Sequence, residues 1–475
     1  TAMRNLIVSI VFSLVSLSII AQGCLPEGVT FTTQAQIDSF AVNYPTCTEI
    51  EGDVLIEGAE ITNLNGLIVI NSVGGNLTIS NDSSLVHLTG LDNLNAIGGA
   101  LSIYGNVLLS DIADLAELDS VGSGISMGIE VFDWWAGQYS YVGNQSLTSL
   151  SGLQGITSVT NLGIIGNDML TNLTGLNNII SVSGTLAVCG NDSLANLQGL
   201  DALTEIGYDL IIQENNQLND FEGLNSLTSV AGKAQIGRDT RIGYEEWPPP
   251  GGNDLLESFS GIDNLSSVGG DFIIGDNNSL VSPSGLTGVT TIGGSLIITG
   301  DTNLTNLNGL ENISFINGKL SIWRTALTNL DGLNNISAGS IDELYIRGNP
   351  SLSSCDVQSV CDYLANPNGT ISIGGNAPGC NSQLEVEDEC ASFVGDLEEK
   401  NAISMYPNPA TNELFIVCSN GVQITEINIY SQMGQKVLQV YGNTHQLDVS
   451  TLPKGLYVAE LITDKSKIRR KLLLE

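Results

Sequence analysis

The sequence predicts an all-β chain: a parallel β-helix of about 12 coils of 24 residues, followed by a small C-terminal antiparallel β-sandwich. Three observations predict it. A 24-residue phrase recurs between residues 52 and 369, with its clearest copies at 74–97 (GGNLTISNDSSLVHLTGLDNLNAI), 183–206, 269–292 and 293–316. Each copy opens on a short segment in which apolar and polar residues alternate. The final 75 residues abandon the phrase for short alternating strands separated by Asn/Gly turns. A fixed period of this size marks a solenoid, whose units bury their apolar faces only against their neighbours.

The elements follow in order. Arg4 precedes an apolar run over residues 6–20 that ends at Ala21-Gln22. Residues 1–21 read as a secretory signal peptide cleaved after Ala21, too short and wrongly flanked for a membrane span. The alternative is a lipoprotein acylated at Cys24. Residues 22–51 read as an N-terminal cap, 52–339 as the solenoid, 340–394 as a cysteine-bearing C-terminal cap, 395–400 as a linker and 401–475 as a separate domain. Within a coil, Leu77 and Ile79, Leu101 and Ile103, Leu210 and Ile212, and Leu296 and Ile298 alternate with outward residues, as in a strand with one buried face. Gly pairs before the strand and Asn/Asp after it supply the turns. The second half, Leu-x-x-Leu-x-Gly-Leu-x-x-Leu-x-x-Ile, returns an apolar residue to the interior at every bend.

Export permits disulfides. Cys24 and Cys47 stand before the first repeat, and Cys355, Cys361, Cys380 and Cys390 after the last. Solenoid ends expose an unpaired apolar face and need caps, so these read as stapled caps. Cys24–Cys47 is the natural first pair. Three pairings are open to the other four, with Cys355–Cys380 and Cys361–Cys390 preferred. Cys189 and Cys418 read as buried free thiols. Charge is concentrated in the array: 42 of the 51 acidic residues lie between residues 24 and 395, with only six of the 15 basic ones. So acidic a surface repels phosphate backbones and argues against a nucleic-acid partner.

The segments Asn-x-x-Leu-x-x-Leu-x-Gly-Leu, as at 167–176 (NDMLTNLTGL), resemble the receptor L-domain family, leucine-rich right-handed β-helices, and more closely the extended versions secreted by Bacteroidota. The resemblance spans roughly residues 24–392. The chain lacks the two-lobed arrangement and cysteine-rich spacer of the hormone receptors, so hormone binding is not implied. The tail carries Tyr406-Pro407-Asn408-Pro409, a mid-domain Gly434, the block 452–457 (LPKGLY) with Gly455 and Tyr457, and a basic end at 465–471. This pattern is similar to the type A sorting domain of the type IX secretion system. It implies a partner in the secretion machinery, passage through the outer membrane, and removal of the tail at the surface.

Two coils break the count. Residues 122–159 and 231–268 each carry 14 extra residues, placed after the strand and before the Asn-x-x-Leu turn. The first insertion holds Phe132, Trp134, Trp135, Tyr139 and Tyr141; the second holds Tyr244 and Trp247, with Arg238 and Arg241 at its start. In a chain only 5% aromatic, these form a candidate platform for stacking on sugars or clamping a peptide. The competing reading is that the rings fold back and cover the solenoid wall. The Asn/Asp column (Asn81-Asp82, Asn167-Asp168, Asn191-Asp192, Asp276-Asn277, Asp301) reads as a turn-satisfying ladder, with calcium as its alternative and no metal or other cofactor required. His87 reads as a surface residue. No nucleophile elbow, zinc signature or Cys/His dyad appears in the sequence. The expectation is a secreted or cell-surface, non-enzymatic adhesion protein that recognises a glycan or protein. The alternatives are an acidic structural rod or a carboxylate-based polysaccharide-degrading enzyme.

Overall fold

The structure is a computed structural model that describes residues 23–133, 138–239, 251–390, 403–418, 423–431, 436–442, 444–463 and 467–474. The signal-peptide and linker assignments fall outside these residues. The chain divides into two compact units, residues 1–325 and 326–475.

In the first unit, parallel strands stack one per coil from Val29–Phe31 to Gly318–Trp323. Register is strict. Leu186 lies opposite Leu162 and Leu210, and Val188 opposite Ile164 and Ile212, so each inward side chain rests on its counterpart one coil away. A second face is built from two-residue strands such as Ser181–Val182 and Glu205–Ile206. It is interrupted between Ser120–Val121 and Ser158–Val159, the two ends of the first long coil. The whole solenoid has about 14 turns. That exceeds the 12 expected from the repeat because both cap segments contribute strands of their own.

The coil at 183–206 shows why the sequence closes in this way. Leu186, Val188, Leu194, Leu197, Leu200, Leu203 and Ile206 are all buried. At roughly 1.5–3 kcal/mol for each fully buried aliphatic side chain, these inward columns are the main source of stability. The glycine of Leu-x-Gly-Leu answers a separate need. Gly199 has φ +115°, and a Cβ there would land on the Leu173 carbonyl of the preceding coil. Where Leu197 gives way to Phe221 and Phe259 in the same column, the two rings stack at 5.3 Å, and the next member is the smaller Pro283.

The tight corner after each strand is occupied by a buried polar column. Asn106, Asn144, Asn167, Asn191, Asn215, Asn253 and Asn277 are completely buried. Each backbone N–H donates to the Oδ1 of the next rung, as Asn167 does to Asn191 (3.0 Å) and Asn191 to Asn215 (3.2 Å). Each Nδ2 also donates backwards to a strand carbonyl: Asn191 to Ile164 (2.9 Å) and Asn215 to Val188 (2.8 Å). These residues are fully engaged with one another, which supports the ladder reading of the column over calcium. Among the described residues no group of three or more His, Cys, Asp or Glu is placed to hold a metal ion.

The N-terminal cap is itself a coil, with the helix Gln34–Asn43 in place of the leucine-rich half. Thr33 and Gln36 form a capping box at its start, and Ile37 and Phe40 are its buried residues. A disulfide joins Cys24 to Cys47 just past the helix end. In the second unit, parallel strands Ile341–Arg347 and Ile371–Gly374 flank the helix Gln358–Ala365, and Cys355–Cys380 and Cys361–Cys390 are bonded. That is one of the three pairings open to those four cysteines. The tail, in the same unit, has a three-stranded and a four-stranded antiparallel sheet around buried Ile403, Leu414, Ile427, Ile429, Leu461 and Leu472.

Truncating one rung tests the ladder. Asn191→Ala leaves the Asn167 N–H buried without its acceptor and removes the amide donor to the Ile164 carbonyl. It is expected to lower unfolding stability by about 2–4 kcal/mol in urea titration. Asn196→Ala, at a half-buried turn position outside the ladder, is expected to cost under about 1 kcal/mol.

Candidate functional site

The first insertion is a β-hairpin. The coil strand Ile125–Met127 passes through Gly128 (φ +92°) into Ile129–Asp133, which pairs antiparallel with Gln138–Val142. Glu130 lies opposite Tyr141 and Phe132 opposite Tyr139, so these four side chains share one face of the hairpin. The aromatic residues then divide. Phe132 and Tyr139 form a ring pair with centroids 4.8 Å apart, and Tyr139 is 51% exposed. Tyr141 instead lies down on the solenoid. Its ring fills the space above Gly190, its Cβ stands over Gly166, and its hydroxyl accepts from Gln213 Nε2 (3.1 Å). Burial drives the Tyr141 phenol well above its usual pKa, so it serves as a neutral packing group. Trp134 and Trp135 lie outside the described residues.

The second insertion is described only at its roots; Arg241, Tyr244 and Trp247 fall outside. Arg238, expected among the ligand contacts, is engaged internally. Its N–H donates to the Gly275 carbonyl, and Nη1 pairs with Asp276 at 3.3 Å. On the returning side, the Gly251 N–H donates to the Glu214 carboxylate (2.5 Å). A polar relay links the two long coils across the outer sheet face: Gln235 Nε2 donates to Gln213 Oε1 (2.9 Å), and Gln213 donates to Tyr141. Nearby outward positions Ile273 and Ile297 are 0% and 2% exposed, so that stretch of the wall is closed to solvent.

Beside the hairpin root runs a groove of about 490 Å³. Gly105, Gly143, Gly166 and Gly190 contribute to its lining, with Tyr141 and Val142 from the hairpin. Its polar lining is Asn81, Gln145, Asp168, Asp192, Glu214 and Asn216, with no lysine or arginine. Desolvation, and then the neighbouring Asp192, raise the Asp168 carboxyl. Desolvation and Glu214 raise Glu130. Such a surface offers hydrogen-bond acceptors and amides to a ligand rich in donors, and repels an anionic one. Neither the groove nor the Gln relay was anticipated from the sequence. Gly166 and Gly190, consecutive glycines after the strand in the coils following the hairpin, were the signal available.

Other expected sites resolve simply. Cys189 is buried, and desolvation pushes its thiol far up, as befits an inert core residue; Cys418 is free, half-buried and raised for the same reason. His87 is exposed, with Nδ1 3.0 Å from Asp111 Oδ2.

In the tail, Asn408 holds the last strand, Lys467–Leu474, from its side. Its Nδ2 donates to the Lys471 carbonyl (2.8 Å), and its Oδ1 accepts from the Leu473 N–H (2.9 Å). Tyr406 stacks on Phe415, and Pro407 and Pro409 both follow cis peptide bonds. Gly455 starts the strand that pairs with the last one, and the Tyr457 hydroxyl donates to the Pro453 carbonyl (2.7 Å). Gly434 lies outside the described residues. Residues 404–475 match the family model of the secretion system C-terminal sorting domain. The tail is a type IX sorting domain. The chain is therefore exported by the type IX system to the cell surface or beyond, and its tail engages the secretion machinery. No curated protein matches the chain. No helix among the described residues is long and apolar enough to cross a membrane.

Two outcomes follow from this geometry. Gly190→Val is expected to push Tyr141 off Gln213 and expose the hairpin, read as faster cleavage there in limited proteolysis. A reporter fused to residues 401–475 is expected to reach the surface of a type IX-competent bacterium. With Asn408→Ala it is expected to stay in the periplasm, as shown by cell fractionation.

Proposed function

We propose that this exported protein is a non-enzymatic binding and adhesion protein that recognises a neutral glycan, or a protein surface, at a cell boundary. One observation carries the reading: a ring pair of half-buried Phe132 and exposed Tyr139 stands on a hairpin rooted beside a groove lined with amides and carboxylates. Flat rings stack on the apolar faces of sugars, while acceptors take the hydroxyl donors around them. A rigid rod presents such a site without paying ordering entropy on contact. The coil pattern also supports classing the array with the leucine-rich receptor L-domain type of β-helix.

Two specific observations keep other readings in play. Tyr141 packs on the wall, which favours a purely structural acidic rod. Glu130 and Glu214 act on one another electrostatically, which favours a carboxylate-based polysaccharide-degrading enzyme. One preparation of the exported protein separates the three. On a glycan array, Phe132→Ala/Tyr139→Ala is expected to lose at least tenfold in affinity while remaining folded. Binding that survives in the variant sinks the ring-pair reading. No binding to glycans or cells favours the rod, and turnover of a polysaccharide panel favours the enzyme.

A further inference from the structure

Two members of the buried ladder are aspartates. Asp301 occupies the rung after Asn277, and Asp82 the rung before Asn106. Asp301 is completely buried. Its Oδ1 does what every rung's Oδ1 does, accepting from the Asn277 N–H (2.7 Å) and from Asn277 Nδ2 (3.4 Å). Its Oδ2 stands where the other rungs carry a donor nitrogen, and it is buried without an acceptor's partner. In regular coils that nitrogen reaches the carbonyl three residues before the preceding rung: Asn106 to Ile79, Asn191 to Ile164, Asn215 to Val188. By the same count the carbonyl facing Asp301 is that of Ile274. A carboxylate oxygen there would oppose a carbonyl oxygen inside an apolar core. A carboxylic acid would present an O–H in place of the missing N–H.

We propose that Asp301 is a neutral acid donating its Oδ2 hydrogen to the Ile274 carbonyl, a proton-dependent rung in an otherwise amide ladder. Asp82 repeats the arrangement at the other end. Its Oδ1 accepts from the Gly58 N–H (2.5 Å), and its Oδ2 is buried and unpartnered. The charged group bearing on Asp301 is Asp276, itself paired with Arg238; the one bearing on Asp82 is Glu57, held by Asn81 Nδ2 at 2.9 Å. Both neighbours are acidic and act in the same direction as burial. Burial raises Asp301 to about 8 and Asp82 to about 7, from 3.8.

The sign of the consequence follows. The folded state holds a proton that the unfolded chain releases between about pH 4 and the folded value. Stability is therefore full below about pH 4, falls through the window up to about pH 8 for Asp301 or 7 for Asp82, and is level above it. Each group lowers the folded-to-unfolded ratio about tenfold per pH unit within its window. Through these two rungs the array gains stability as its surroundings turn acidic.

The test uses the full exported protein, Asp301→Asn and Asp82→Asn, in urea unfolding between pH 5 and 9. Asparagine completes the ladder without a proton, so Asp301→Asn is expected to gain on the wild type about tenfold per pH unit up to about pH 8. In infrared spectra at pH 6.5 the wild type is expected to show a buried carboxylic-acid carbonyl band that weakens in Asp301→Asn. A stability difference that does not change with pH, or an acid band that Asp301→Asn leaves intact, overturns the proposal. Should Asp301→Asn not fold, the wild-type band decides alone: titration near pH 8 supports the proposal, and its absence at pH 6.5 overturns it.

Discussion

A chain wound into stacked coils must turn sharply inside its own body, where the backbone groups of each corner are beyond the reach of water. The asparagine column meets that constraint. One primary amide both accepts from the rung behind it and donates to a strand carbonyl, so each asparagine corner is satisfied by the same side chain. Unmet buried amides cost roughly 1–3 kcal/mol each, and a dozen such corners would exceed the stability of most domains. The inward leucines supply the driving force, but only with the ladder in place can the coils approach closely enough to use it. The glycine of Leu-x-Gly-Leu solves the matching problem on the opposite side, where a Cβ would strike the preceding coil.

The ladder also explains where the rod tolerates insertions. Asn106 bonds to Asn144, and Asn215 to Asn253, across 38 residues each, with the geometry that other rungs keep across 23 or 24. Both long coils leave after their strand and return before their rung, so the stack is continuous beneath them. Side chains can therefore be carried on segments that the core does not constrain. The price is partial: Tyr141 and Gln213 are recruited to anchor the hairpin root, leaving Phe132 and Tyr139 at its outer end.

Acidity and export belong together in this chain. The array holds most of the carboxylates, and the groove contains acceptors without a cation, so the surface favours neutral or basic partners over anionic polymers. The sorting tail is nearly charge-balanced and built on a different principle, an antiparallel sheet whose last strand is tied down by Asn408. Of its motif residues, Asn408 makes that tie, Tyr406 stacks on Phe415, and Tyr457 bonds the Pro453 carbonyl.

The sequence by itself determined the coil. A 24-residue period with Leu186, Val188, Leu194, Leu197, Leu200, Leu203 and Ile206 at fixed offsets dictates which side chains point inward, because backbone geometry alone converts spacing into direction. It likewise placed the cysteine caps, the two interrupted coils and the tail. The neighbouring Asn/Asp pairs were less legible. Asn167 is the inward member of its pair, but Asp82 and Asn277 are the inward members of theirs, and only the count to the following Leu170, Leu85 or Leu280 distinguishes them. Tertiary structure alone decided which aromatic residue lies down and which stands. Tyr141 packs because Gly166 and Gly190, 25 and 49 positions further on, leave room for its ring, and Gln213, 72 positions on, meets its hydroxyl. Contacts of that kind depend on which coils become neighbours in space, and no local pattern around Tyr141 encodes them.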